Sequence, residues 1–83
     1  MNPKLDHDLA YRIMMNEIRR NLLKYIGKHI RDIKDIENEF QLDSDKLMYH
    51  LSMLKQGLYI INSDSKWKAT PRGLGFIENT IMG

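Results

Sequence analysis

The side chains best equipped for recognition chemistry lie in the run LDSDKLMYHLSMLKQGL, residues 42–58. At helical spacing Ser44, Asp45, Met48, Tyr49 and Ser52 gather on the side away from Leu47, Leu51 and Leu54. Hydroxyls donate and accept hydrogen bonds, a carboxylate accepts only, and Met48 and Tyr49 offer apolar contact. Lys46 adds a positive charge to the same half of the helix. This set suits the matching of donors and acceptors on a partner; it also fits a face that simply meets water. A second group is cationic: Lys66 and Lys68 flank Trp67, and Arg72 follows. In an extended run both lysines leave one face while Trp67 turns inward. Lysines beside a turn are placed to neutralise phosphates, and they equally protect an edge strand from aggregation.

Other chemistries lack their residues. The chain has no cysteine, no Gly-rich phosphate loop and no Ser/His/Asp pattern, so neither an enzyme nor a cofactor is expected. His7, His29 and His50 stand far apart, and the acids of Asp6-His7-Asp8 suit the start of a helix, so no metal site is expected. With 83 residues, 42% of them hydrophobic, the chain is one small domain with a core of its own. Its net charge of +2 is unevenly spread: +4 over residues 1–31, −5 over 32–45 and +3 over 46–83. Only selected surfaces can therefore face a polyanion. The start has no apolar leader, and no window nears the roughly 18 apolar residues of a membrane span. A soluble, cytoplasmic protein without a membrane partner is the expectation.

The elements that position these residues follow from periodicity. A long helix over about 8–27 carries Tyr11, Met14, Met15, Ile18, Leu22, Tyr25 and Ile26 on one stripe. Leu9, Ile13 and Leu23 project from its opposite face. Leu74, Ile77 and Ile81 form a further stripe near the C-terminus, and these six residues are the expected interface of a homodimer. After a brief extended piece at 29–31, Asp32 caps a short helix with Ile33, Ile36 and Phe40 inward. A turn then leads to the short helix of the run 42–58, capped by Asp43, stapled by Leu42 and Leu47, and stopped by Gly57 in a left-handed turn. Two helices joined so closely, over about 32–57, form a helix-turn-helix. A hairpin over about 58–70 turns at Ser63-Asp64-Ser65, and Thr70-Pro71 opens a last helix over about 71–81 that Gly73 and Gly75 weaken. The fold class is mainly α with a small β-hairpin (α+β), in a single domain spanning residues 1–83.

Over about residues 18–78 this pattern resembles the winged helix-turn-helix regulators of bacteria and archaea, of the ArsR/MarR type. The residues that carry the likeness are Leu42, Leu47, His50-Leu51, Leu54, Gly57-Leu58, Trp67, Thr70 and Gly73. Ala69, where a larger aliphatic is usual, and the acidic helix before the turn depart from it. The resemblance implies a sequence-specific transcriptional regulator bound to double-stranded DNA. Ser44, Asp45, Lys46, Met48, Tyr49 and Ser52 would enter the major groove, with Lys66, Lys68 and Arg72 on phosphates. It also implies a structural, hydrogen-bonded role for His50; a twofold dimer built on the spare apolar faces would place two reading helices about 34–36 Å apart. Metal sensing occurs in the ArsR type, but the last helix here offers only Glu78 as a ligand. Two other readings stay open: a protein-interaction module, favoured by the low net charge and the acidic helix, and a non-specific architectural DNA binder.

Overall fold

The computed structural model of the chain describes residues 3–79. Five helices and a small antiparallel sheet follow one another as α1 (Pro3–Met14), α2 (Glu17–Lys28), β1 (Arg31–Asp32), α3 (Ile33–Phe40), α4 (Ser44–Gln56), β2 (Ile60–Ser63), β3 (Lys66–Ala69) and α5 (Pro71–Asn79). The strand order is β1-β3-β2, with both pairings antiparallel. No helix among the described residues is long and apolar enough to cross a membrane.

The expected helix over 8–27 is two helices, and the first begins at Pro3, ahead of Asp6 and Asp8. Asn16 breaks the run. Its backbone is extended (φ −86°, ψ 124°), and its side-chain oxygen accepts from the Arg19 N–H at 3.1 Å, capping α2. Two arginines then turn back onto the carbonyls that end α1: Arg19 donates to Ile13 O (3.3 Å) and Arg20 to Met14 O (2.8 Å). The break resets the helical phase. Tyr11 and Met15, expected on the core stripe, are 62% and 61% exposed, while Ile13 and Leu23 lie fully buried in the core. Ile13 and Leu23 are thereby removed from the expected dimer surface.

The core joins these residues to Leu22, Ile26, Ile36, Leu47, Leu51, Leu54, Ile60 and Trp67, drawn from every layer. Trp67 is inward, as its place between two lysines predicts. Asp32 caps α3 by accepting from the Lys34 N–H (3.1 Å), and Asp35 accepts from the Asp32 N–H in return (3.2 Å). The hairpin turn is tied to the same point, because Ile33 N–H donates to Ser65 O (2.9 Å) and the Ser65 hydroxyl to Asp32 (2.9 Å).

Two glycines differ from expectation in their reason. Gly57 is not left-handed (φ −79°); the positive φ of that turn belongs to Leu58, at 65°. Gly57 instead relieves crowding, since a Cβ there would lie 2.8 Å from Ile13 Cδ1 and 3.0 Å from the Tyr59 ring, and those side chains would have to shift. Gly73 lets α5 lie against the strand entry, where a Cβ would fall on the carbonyl oxygen of Tyr59. Thr70 starts α5 as predicted, its hydroxyl oxygen accepting from the Gly73 N–H at 3.0 Å. Ile81 lies outside the described residues.

Candidate functional site

Helix α4 is fixed from beneath by Leu47, His50, Leu51 and Leu54, all buried. Its outer face therefore presents Ser44, Asp45, Lys46, Met48, Tyr49 and Ser52 together, every one exposed. Met48 is 43% exposed and Tyr49 56%. Asp43 occupies the N-cap position but makes no side-chain capping bond. The start of α4 is instead linked to α3 by Ser44, whose hydroxyl lies 3.4 Å from Glu37 Oε2.

Tyr49 stands on a buried polar pair. Arg19 Nε donates to His50 Nδ1 at 3.1 Å, with both residues buried. The Arg19 guanidinium lies 5.4 Å from the Tyr49 ring centroid, and the His50 and Tyr49 rings are 5.4 Å apart. Acceptance at Nδ1 assigns His50 the neutral tautomer with its proton on Nε2. Burial, and then the adjacent Arg19 charge, hold its pKa below the ordinary 6.5. Arg19 is a site residue that inspection of the sequence missed. The signal was present: with Leu22, Leu23 and Ile26 it falls at i, i+3, i+4 and i+7 on the stripe α2 buries.

The sheet presents Ile61, Lys66 and Lys68 on its outer face, where Ile61 pairs with Lys68 across β2 and β3. With the exposed Ile30 and with Asn62 these residues line a shallow recess of about 400 Å³. Lys66 is partly engaged already, its Nζ 3.9 Å from Asp32. The Asp32 carboxyl is held below its usual pKa by the Lys34 N–H first and by the Ser65 hydroxyl second.

Arg72 does not join the lysines in that recess. Its guanidinium sits 5.0 Å from the Tyr59 ring centroid, in a separate cleft bounded by α1, α2 and α5. Of the remaining residues expected at a dimer interface, Leu9 and Ile77 are half-buried against the core and Leu74 is 43% exposed. Among the described residues no three His, Cys, Asp or Glu side chains come together as a metal site.

No family model, curated protein or solved structure matches the chain.

Proposed function

We propose that the chain is a winged helix-turn-helix, sequence-specific DNA-binding regulator of transcription. In this reading α4 enters the major groove and the β2–β3 hairpin is the wing on the backbone. The observation that carries it is the outer face of α4. It holds four hydrogen-bonding or charged groups beside two open apolar side chains, on a helix whose other face is wholly committed to the core. A helix fits a groove about 12 Å wide, and the N-terminal half of α4 carries most of the set. Lys68, with Lys66 beside it, is suited to phosphates. Binding as a twofold dimer belongs to the same reading, with Leu74 its most exposed candidate contact.

Selection from a random DNA pool tests this, followed by isotherms on the recovered site and on random duplex at two salt concentrations. A recovered motif bound at least about a thousandfold more tightly than random DNA supports the reading. Equal affinity for all duplexes makes the protein architectural. Absence of binding favours a protein-interaction module, a reading supported by the exposed Met48 and Tyr49 and by the acids of α3.

A further inference from the structure

Arg19 is only 8% exposed, yet it carries a charge that a guanidinium does not give up. Its partners among the described residues are neutral. Nε donates to His50 Nδ1 (3.1 Å), Nη1 donates to Ile13 O (3.3 Å), and the guanidinium lies 5.4 Å from the Tyr49 ring centroid. An apolar side chain would fill this place on the buried stripe of α2 without the cost of desolvating a cation. Stability alone does not account for an arginine here.

What the guanidinium supplies is direction. Its two hydrogen bonds, one to α4 and one to the end of α1, fix where the planar fork sits. Tyr49 is 56% exposed, and a helical aromatic side chain chooses between two common χ1 settings, 180° and −60°. A cation attracts the face of an aromatic ring, so the setting that keeps the ring beside Arg19 is favoured over the one that removes it. The fixture comes from outside the helix it serves. Arg19 lies in the first turn of α2, where its backbone N–H donates to the Asn16 cap. One residue thus joins the α1–α2 break to the outer face of α4.

We propose that Arg19 is a positioning residue for recognition: it holds the Tyr49 ring in one setting, and so sets how sharply α4 tells one DNA sequence from another. A ring already set when DNA arrives has less freedom to lose, and it meets a base edge in one geometry only. The effect on discrimination rests on the DNA reading; the setting of the ring does not.

The test uses the whole protein, first without DNA. Three-bond couplings to the Tyr49 Hβ protons report its χ1 populations. One dominant setting is expected in the wild type and a mixture of two in Arg19→Met. Arg20→Met is the control, since Arg20 closes on α1 at the same joint through Met14 O, and it should leave the Tyr49 couplings unchanged. On a DNA site selected from the random pool, Arg19→Met should lower the ratio of selected to random affinity about three- to tenfold, the cost of ordering one free side chain. Random-duplex affinity should stay nearly the same. In a Tyr49→Ala background the same substitution should leave the ratio unchanged, whereas a merely structural arginine would cost as much with the ring as without it. If Arg19→Met does not fold, Arg19→Gln, which keeps an N–H donor without the charge, takes its place with the same expectations. A wild-type ring spread over two settings would overturn the proposal. So would Tyr49 couplings that Arg19→Met leaves unchanged or that Arg20→Met alters equally, or an equal loss of discrimination with and without the ring. Should no motif be selected, the DNA reading fails by itself, and the couplings alone decide whether Arg19 sets the ring.

Discussion

At the scale of single residues the most informative feature is one buried hydrogen bond, Arg19 to His50. Protonating His50 would turn its acceptor into a donor and place a cation against a cation. Its pKa in the fold lies below 6.5, whereas the unfolded chain takes up that proton near 6.5. The unfolded state therefore binds more protons as pH falls through this window. The stability His50 contributes is present above pH 6.5 and is lost below it. Urea melts at pH 7.5 and 5.5 should show this loss, and His50→Gln, which keeps an acceptor but cannot titrate, should flatten it. Tyr49, braced above this pair, gives the second residue-scale prediction. Tyr49→Ala should cost about 1–3 kcal/mol on a selected DNA site and leave random-duplex affinity nearly unchanged. Isotherms on both duplexes decide it; equal binding to wild type on both removes α4 as the reader. The outer face of α4 was legible in the sequence because a core stripe defines its own opposite. Arg19 was not, since its charge argued for solvent while its position argued for the core.

At the scale of elements, α3, α4, the hairpin and the start of α5 were all legible within a residue or two, because caps, period and turn residues agreed. The first helix was not. Its apolar residues keep a helical spacing through Met15 and Ile18, and nothing in that period marks a break. Asn16 was the available signal, a residue whose side chain caps helices more readily than it continues them. Asn16→Ala should therefore destabilise the protein by about 1 kcal/mol, read from a denaturant midpoint. The loss should be seen at the α1–α2 joint first, as faster amide exchange of Arg19. No change in either measurement would mean that Arg19 and Arg20, closing on the carbonyls of α1, hold the break by themselves. Misplacing this joint also misplaced the dimer surface, for Ile13 and Leu23 looked spare only on an unbroken helix. Gly73 had no explanation in sequence because its reason is a carbonyl belonging to Tyr59, distant along the chain.

At the scale of the molecule, charge decides how each surface can meet a polyanion. Asp32, at the start of α3, lies beside the hairpin and already shares Lys66, whose Nζ is 3.9 Å from its carboxylate. Lys68→Ala should weaken binding to all duplexes alike and lower the salt slope by about 1, with a smaller effect for Lys66→Ala. A sequence-dependent defect from Lys68→Ala would contradict a phosphate contact. Light scattering at high micromolar concentration should give a dimeric mass, reduced to the monomer by Leu74→Glu; a monomeric wild-type chain would end the twofold proposal. The hairpin tip has one more consequence. Ser65 is fastened to Asp32 and Ile33 by both its backbone and its hydroxyl, which ties the turn to the start of α3. Protruding hairpins usually surrender much of their freedom when a partner fixes them, and that ordering opposes association. Here two of the bonds that order the turn form when the chain folds, so a partner that met Lys66 and Lys68 would have less of that ordering left to do.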